Sequence, residues 1–184
     1  MRKLGSDRES KDKNKRNTMI MSGVMLFLLL ISTAGYAIVS SSQNSESSEE
    51  NYEGVVNAGN YWTFEHNGQN IYLRNSPDEV RNISVLIGPQ VSVPTYSSSV
   101  LYIASENEGV YTEVASSLGR FSQRVQRACY SNCSKDLPEK SCASNLIVWN
   151  ESSYNLVRQE ENCIFIDGDL RAVDAFLYKV FNKL

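Results

Sequence analysis

The hydrophobic pattern near the start of the chain is dominated by residues 19–39, a run without a charged side chain. Small or hydroxyl residues interrupt it at Ser22, Gly23, Ser32, Thr33 and Gly35. About 20 apolar residues in a helix are enough to cross the hydrocarbon core of a bilayer. The pattern therefore predicts one transmembrane helix over residues 18–39, with the lipid bilayer as its partner.

The charges on either side of this run predict its orientation. Lysine and arginine outnumber aspartate and glutamate in residues 1–17, whereas no basic residue follows the run until Arg74. Basic flanks stay in the cytoplasm by the positive-inside rule. We expect a basic cytoplasmic leader, a single-pass span and a C-terminal part outside the cytoplasm.

A cleaved secretory signal is the alternative to a membrane anchor, because Gly35 and Ala37 offer small residues after an apolar core. Signal cores usually contain about 7 to 15 apolar residues, and the run here is longer. The long leader also favours an uncleaved signal-anchor.

Residues 40–51 are rich in serine and glutamate and contain no aliphatic side chain. Such a segment cannot bury enough apolar surface to offset the entropy lost on ordering. We therefore predict a flexible linker at 40–51, followed by one domain over residues 52–184. A domain of that length can enclose a single hydrophobic core.

The first element of this domain is predicted to be an N-terminal β-hairpin. Asn67 and Gly68 form the dipeptide favoured in two-residue type I′ turns. That turn fixes the register of the two strands. The resulting pairs are Trp62 with Leu73, Phe64 with Ile71 and Thr63 with Tyr72. Because the first two pairs share one face, we expect that face to pack on the core.

Short elements are predicted after the hairpin. Ser76, Pro77 and Glu79 have the order found at helix N-termini, with a capping residue, a proline and a returning acid. Residues 83–87 are rich in β-branched side chains and predict a strand. Residues 91–94 predict a further short edge strand.

A strand that leads into a helix comes next. Residues 100–104 form a continuous apolar run, typical of a strand covered on both faces. Ser105 and Glu108 have the spacing of a capping box. Apolar residues then recur every three or four positions from Val110 to Ala128, which predicts one helix over that whole range. Arginines on the opposite side of this helix are expected to be solvated.

The remaining pattern completes an α+β fold. Residues 146–149 predict a second buried strand, parallel to the first through a right-handed crossover. Residues 154–158 and 163–166 predict a hairpin, and Asp169 is placed to cap a closing helix over 170–181. The sequence thus predicts a mixed β-sheet packed by two main helices.

Composition and motifs narrow the range of functions that the chain could have. The net charge of −3 argues against nucleic acid as the principal partner. The chain has one histidine, His66, and lacks the G-x-S-x-G, H-E-x-x-H and glycine-rich phosphate motifs. Asp167, Asp169 and Asp174 occupy loop, cap and helix positions that favour structural roles. We predict no catalytic residue, no cofactor and no metal site.

All four cysteines lie in the part expected outside the cytoplasm, where disulfides persist. They are Cys129, Cys133, Cys142 and Cys163, and they allow three pairings. Residues four apart near the end of a helix are about 5 to 6 Å apart at Cβ, too far for a relaxed bridge. The prediction is therefore Cys129 with Cys163 and Cys133 with Cys142.

Zinc binding is disfavoured because the cysteine spacing lacks C-x-x-C knuckles and His66 is far away in sequence. The order of elements resembles part of a thioredoxin-like domain, which implies an extracytoplasmic thiol-disulfide oxidoreductase. In that family the reactive C-x-x-C pair begins the helix after the first strand, where Ser105 stands here. Cys129 and Cys133 fall instead at the predicted C-terminal end of the helix, where the dipole disfavours thiolate. Redox activity is the less favoured alternative.

Three N-glycosylation sequons would face the outer side of the membrane. They begin at Asn82, Asn132 and Asn150. Asn132 lies beside a predicted bridge, whereas Asn150 follows a predicted strand in a loop. Asn150 is therefore the first choice for occupancy.

The basic leader, anchor, acidic linker and a domain ending in residues 162–184 resemble small single-pass membrane proteins of archaea, most specifically over residues 162–179. The resemblance is carried by Asn162-Cys163 at the start of that segment and Tyr178-Lys179 at its end. It implies a place in the cell envelope and no assigned activity. We expect a membrane-anchored, non-enzymatic domain that acts through protein or envelope contacts. An accessory subunit of a larger membrane complex is the alternative, with small residues of the span at a helix contact.

Overall fold

The computed structural model of the chain describes residues 21–25, 52–131, 133 and 136–184. The chain divides between residues 49 and 50 into two units. In the first unit, residues 21–25 are helical and exposed. Within the described ranges, no helix reaches the length and apolarity needed to cross a membrane. The predicted leader and linker lie outside the described residues, as does most of the predicted span at 18–39.

The second unit is an α+β domain with two β-sheets. Its strands are β1 (Val56–Asn57), β2 (Trp62–His66), β3 (Gln69–Leu73), β4 (Ser84–Leu86), β5 (Val100–Ala104), β6 (Arg124–Arg127), β7 (Leu146–Asn150), β8 (Leu156–Glu160) and β9 (Cys163–Asp167). Its helices are α1 (Pro77–Val80), α2 (Val93–Ser97), α3 (Glu108–Ser117) and α4 (Leu170–Val180), and a 3-10 turn, Leu118–Phe121, follows α3.

The predicted hairpin is confirmed as part of a three-stranded antiparallel sheet of β1, β2 and β3. The observed pairs include Trp62 with Leu73, Thr63 with Tyr72 and Phe64 with Ile71. Asn67 and Gly68 have φ values of 50° and 75°, as a type I′ turn requires. Phe64, Ile71 and Leu73 are buried, so this face of the hairpin packs on the core.

The larger sheet has six strands in the order β4-β8-β9-β7-β5-β6. Strands β6, β5, β7 and β9 are parallel, whereas β8 runs antiparallel to β9 and β4 runs parallel to β8. The predicted parallel pairing of β5 with β7 and the predicted β8–β9 hairpin are both confirmed. Glu161 in the hairpin turn has a φ of 52°, which lets the chain reverse within two residues.

Local capping explains where two helices begin. The Ser76 hydroxyl accepts a hydrogen bond from the Glu79 amide at 3.2 Å, and Glu79 Oε2 accepts from the Ser76 amide at 2.7 Å. This is the predicted capping box at the start of α1. Asp169 Oδ1 accepts from the Arg171 amide at 2.9 Å, which confirms Asp169 as the cap of α4.

The edge strand predicted at residues 91–94 is wrong, because this region enters helix α2. Pro94 sits in the first turn, where its missing N–H is not needed for helical hydrogen bonds. Val93 and Tyr96, three positions apart, are both buried. Helical spacing places them on one face that packs on the core.

The helix predicted from Val110 to Ala128 is also wrong over its second half. Helix α3 ends at Ser117, and the chain then forms the 3-10 turn and the edge strand β6. β6 pairs in parallel with β5, with Val125 opposite Leu101. Pairing with a strand more than twenty residues earlier therefore overrides the local helical pattern.

The six-stranded sheet is covered differently on its two faces. One face packs against the hairpin and the two main helices, α3 and α4, in the larger apolar cluster. The other face carries a smaller buried cluster, formed by Ala104, Ala128, Leu146, Val148, Cys163 and Phe165. Described residues of the segment after β6 contact this second face, since the Tyr130 ring lies 5.2 Å from the Phe165 ring. Tyr130 and Cys142, which are described residues of the segment that carries three of the cysteines, thus pack on this face of the sheet.

Candidate functional site

A crevice opens where the parallel strands β5, β6 and β7 end at the same edge of the sheet. The chain leaves β5 through α3 toward β6 on one side and leaves β7 toward β8 on the other side. Loops that depart in opposite directions leave a gap between strand ends, and α/β proteins commonly bind ligands there. The crevice has a volume of about 430 Å³ and is the candidate functional site.

Short side chains at the strand ends leave the space for this crevice. Ala104 ends β5, Ala128 follows β6 and Val148 lies in β7, and all three line the crevice. They also belong to the buried cluster on the second face of the sheet. Trp149 of β7 adds an aromatic residue to the lining. The floor of the site is thus part of the folded core.

The rim of the crevice carries polar side chains of both charge signs. They are Ser105, Glu106, Arg127, Ser131, Asp136 and Asn150. Ligand sites combine apolar surface with a few polar groups that set orientation. The mixed rim and apolar floor therefore suit binding of a polar or polypeptide ligand.

The loop between β5 and α3 is shaped by Ser105 and Asn107. Asn107 Oδ1 accepts hydrogen bonds from the amides of Gly109 at 2.9 Å and Val110 at 3.2 Å, so Asn107 is the N-cap of α3. The capping box predicted from Ser105 to Glu108 is wrong. The Ser105 hydroxyl instead accepts from the Asn107 amide and donates to the Asn107 carbonyl, each at 3.1 Å. These bonds fix the loop that borders the crevice.

Arg127 is the cation among the described residues that line the crevice, and it is held by two contacts from α3. Its guanidinium donates to the Glu108 carboxylate and lies 3.7 Å from the centre of the Tyr111 ring. The sequence placed Arg127 on the solvated side of a helix, whereas it ends strand β6. Helix α3 therefore positions a positive charge at the site.

The structure pairs Cys129 with Cys133 and Cys142 with Cys163, at Cα–Cα distances of 5.7 Å and 4.8 Å. The predicted pairing, Cys129 with Cys163 and Cys133 with Cys142, is therefore wrong. That prediction assumed a helix through Cys129. The chain instead leaves β6 and turns at Ser131, whose φ is 58°, which brings Cys129 and Cys133 together.

The two disulfides have different surroundings. Cys129 and Cys133 both line the crevice. Cys163 is fully buried at the start of β9, and Cys142 packs against the buried cluster on the second face. One bridge therefore belongs to the candidate site and the other to the core.

The segment after β6 is also held by contacts that do not involve sulfur. The Cys129 amide donates to the Pro138 carbonyl at 3.1 Å, and the Lys140 amide donates to the Cys129 carbonyl at 2.9 Å. Next to them, Tyr130 packs edge-on against Phe165. Hydrogen bonds and ring packing therefore hold this side of the crevice in addition to the disulfide.

Asn150, the preferred sequon residue, is the last residue of β7 and is paired with Asp167, so its predicted place in a loop after the strand is wrong. It lines the crevice. Its Nδ2 donates to Asp167 Oδ1 at 3.1 Å, and its carbonyl accepts from the Gly168 amide at 3.0 Å. Asn82 is exposed between α1 and β4, and Asn132 lies outside the described residues. Glycosylation at all three stays a prediction.

A second group of charged side chains lies apart from the crevice, between the three-stranded sheet and the helices. Asp174 of α4 is fully buried, and its Oδ2 accepts from the Asn75 amide at 2.8 Å and from Asn75 Nδ2 at 2.7 Å. Glu113 of α3 is buried and lies 3.3 Å from Arg74 Nε. These contacts join the end of β3 to both main helices.

The pKa values of both carboxyl groups are raised. Burial, followed by repulsion from Asp174, raises the pKa of Glu113 to about 7 against the attraction of Arg74. Burial raises the pKa of Asp174 to about 6, although hydrogen bonds from Asn75 oppose the shift. The junction therefore changes charge near neutral pH.

No metal-binding cluster of three or more His, Cys, Asp or Glu side chains occurs in the part of the chain that the structure describes. His66 ends β2 and packs edge-on against Phe121 at 5.5 Å and Phe181 at 5.1 Å between ring centres. Its contacts are those of a packing residue.

The chain matches no protein-family model, no curated protein and no solved structure. The functional argument therefore depends on the geometry and chemistry of the crevice.

Proposed function

We propose that this protein is a binding domain, anchored in the cell membrane by residues 18–39 and displayed outside the cytoplasm. Its crevice at the carboxyl edge of the six-stranded sheet engages a segment of a polypeptide partner. The observation that carries the proposal is the crevice of about 430 Å³ between strands whose chains depart in opposite directions.

Placement outside the cytoplasm is supported by sequence and by cysteine chemistry. The basic leader precedes the apolar run, which orients a span with its N-terminus inside. All four cysteines of the chain are in disulfides. Disulfides persist in oxidising compartments and are rare in the cytoplasm.

Binding rather than turnover is supported by the side chains at the crevice. Arg127, which lines it, is already paired with Glu108. The single histidine packs among aromatic rings of the core. A hydrolytic mechanism needs a nucleophile within hydrogen-bond reach of a base. The polar groups of the rim are better suited to recognition.

The chemistry of the rim indicates the kind of partner. Carboxylates of Glu106 and Asp136 accompany the amide of Asn150 and the ring of Tyr130. Aromatic side chains are enriched at surfaces that recognise proteins, and the rim of such surfaces is polar. We expect the bound segment to present a basic side chain toward the carboxylates and backbone groups toward the amide. A glycan on Asn150 would compete for the same space.

Membrane topology is tested by adding protease to intact cells that make the protein. We expect the chain after about residue 50 to be digested while the leader is protected. In the same cells, thiol alkylation without reductant should leave the four cysteines unmodified. A protease-resistant domain with reduced thiols would overturn the proposed placement.

Partner binding is tested by placing a photo-reactive side chain at Asp136, on the rim of the crevice. Gln69, exposed at the start of β3, is the matched control position. We expect one discrete cross-linked product from position 136, none from position 69, and loss of the product when Glu106→Trp narrows the crevice. Equal cross-linking from both positions, or none from either, would contradict binding at the crevice.

Identification of the cross-linked chain separates the two forms of this proposal. A stable complex that survives purification in mild detergent supports an accessory subunit of a membrane assembly. Recovery of the protein alone, with the cross-link still formed in cells, supports transient binding to an envelope partner.

A further inference from the structure

The disulfide at the crevice differs from the other bridge in its access to reagents. Cys129 and Cys133 are both partly exposed and line the cavity, whereas Cys142 is partly exposed outside the cavity lining and Cys163 has no exposed surface. Thiol-disulfide exchange requires a thiolate to reach a sulfur of the bridge. A molecule bound at the carboxyl ends of β5, β6 and β7 is therefore beside one disulfide, whereas Cys163 of the other lies at the start of β9, opposite the first residue of β7.

The local structure does not depend on the Cys129–Cys133 bridge alone. Hydrogen bonds of Cys129 with Pro138 and Lys140 hold the same segment, and Tyr130 anchors it to the sheet. Cys129 Sγ also lies 3.7 Å from the Leu137 carbonyl oxygen. A reduced Cys129 thiol would have an acceptor there, since S–H is a weak donor.

We propose that the Cys129–Cys133 disulfide is a thiol-exchange site that accepts two electrons from a dithiol carried by the crevice partner. Cys142–Cys163 is a permanent structural bridge. This inference rests on the proposed function in one respect, because the partner must reach the same crevice. It adds a chemical step to binding.

The exchange proceeds by two displacements. A thiolate of the partner attacks Sγ of Cys133, a partner–Cys133 bond forms, the Cys129–Cys133 bond breaks, and Cys129 leaves as a thiolate that takes up a proton. The second partner thiolate then attacks the partner sulfur of this mixed disulfide and releases Cys133, which is protonated in turn. The partner is oxidised to a disulfide, the protein gains two electrons, and the two protons lost by the partner thiols equal those gained by the cysteines.

Arg127 lies beside the bridge, but charge is not what favours the first displacement. Its guanidinium lines the same cavity and is already paired with Glu108, and the carboxylates of Glu106 and Asp136 line the cavity as well. The exchange therefore depends on the access of a partner thiolate to Cys133 through the crevice.

The test uses the full chain in mild detergent with dithiothreitol as the dithiol probe. Thiols are trapped with N-ethylmaleimide at timed intervals and located by mass spectrometry. We expect Cys129 and Cys133 to be modified together, about tenfold or more faster than Cys142 and Cys163, while the circular dichroism spectrum is unchanged. Equal rates at all four cysteines, or labelling that accompanies loss of the spectrum, would overturn the proposal.

Two tryptophan substitutions test whether the reductant reaches the Cys129–Cys133 disulfide through the crevice, or whether a bulky side chain anywhere on the domain slows its reduction. Glu106→Trp, on the rim, should slow reduction of Cys129–Cys133 about tenfold, because it obstructs the approach to sulfur. Thr112→Trp, at an exposed position of α3 away from the lining, should leave the rate unchanged. Unchanged exchange in the first variant, or equal slowing in both, would contradict entry through the crevice.

The exchange and the proposed binding can fail separately. In Cys129→Ser/Cys133→Ser, exchange is lost by design, whereas the cross-link from position 136 should persist if binding needs no sulfur chemistry. Fast exchange in a protein that forms no such cross-link would refute the proposed function and leave the exchange standing. A cross-link without preferential reduction would refute the exchange and leave the binding standing.

Discussion

Removing the Cys142–Cys163 bridge by Cys142→Ala/Cys163→Ala should lower the free energy of unfolding by about 3 kcal/mol. The bridge joins cysteines 21 positions apart, and closing a loop of that size restricts the unfolded chain by about this amount. Cys163 is fully buried, so its shorter replacement also leaves unfilled space in the core. Guanidinium chloride unfolding, followed by tryptophan fluorescence, measures the loss.

The matched control is Cys129→Ala/Cys133→Ala, which removes a bridge between cysteines 4 positions apart. A short loop loses less entropy on closure, so the expected loss is at most about 2 kcal/mol. The hydrogen bonds of Cys129 with Pro138 and Lys140 remain in this variant. A larger loss in the control than in the Cys142 and Cys163 variant would show that the bridge at the crevice is the structural one.

The position of Cys142 explains why removing its bridge is expected to lower the free energy of unfolding more than removing Cys129–Cys133. The Asn162 amide donates to the Cys142 carbonyl at 3.2 Å, and the Leu146 amide donates to the Asn162 carbonyl at 3.2 Å. The Cys142–Cys163 bridge thus fastens the entries of β7 and β9, two central neighbours in the sheet. Its removal loosens the start of both strands at once.

The free energy of unfolding should fall by about 2 kcal/mol between pH 5 and pH 8 because of Glu113 and Asp174. Folding raises the pKa of Glu113 from 4.5 to about 7 and that of Asp174 from 3.8 to about 6. Carboxyl groups with raised pKa values stabilise the folded state fully below their ordinary pKa values and lose that contribution as pH rises through the folded values. The window is therefore about pH 4 to 7. One pKa unit corresponds to about 1.4 kcal/mol. The two shifts do not simply add, because the repulsion between Glu113 and Asp174 acts only when both are ionised, so the expected total for the pair is smaller than the sum of the separate shifts.

Asp174→Asn should flatten this pH profile and increase stability at pH 8. The asparagine oxygen still accepts from Asn75, and the repulsion that raises the pKa of Glu113 is removed. Glu65→Gln, at an exposed position of β2, changes the net charge equally and should keep the slope of the unmodified protein. Urea unfolding at several pH values gives the slopes. The explanation would be abandoned if the unmodified protein became more stable from pH 5 to pH 8.

The elements that could be predicted from the sequence are those whose turn or cap residues lie within a few positions of one another. The β2–β3 register follows from the Asn67–Gly68 turn, and the starts of α1 and α4 follow from Ser76 and Asp169, because turns and caps involve residues only a few positions apart. The β8–β9 hairpin belongs to the same class. Runs of apolar residues likewise indicated β5 and β7 as buried central strands.

The region after α3 shows where local signals fail. The spacing of Val114, Leu118 and Val125 fits a helix, yet Val125 lies in β6 opposite Leu101. One signal against a continuous helix was present at Gly119, where a Cβ atom would lie 2.5 Å from Val125 Cγ2. Glycine at that place lets the 3-10 turn and β6 approach each other closely. The error then carried over to the disulfides, because their predicted pairing assumed a helix.

By itself, the sequence determined the α+β class, the hairpins, the caps of α1 and α4 and the central parallel strands, since these follow from turn chemistry and from hydrophobic spacing. It also carries the evidence for the membrane anchor, which stays a prediction. Only the tertiary structure decided the disulfide pairs, strand β6 and the crevice with Arg127, Cys129 and Asn150 at its edge. These features depend on contacts between residues far apart in the chain, and such contacts form only when the sheet brings strand ends together.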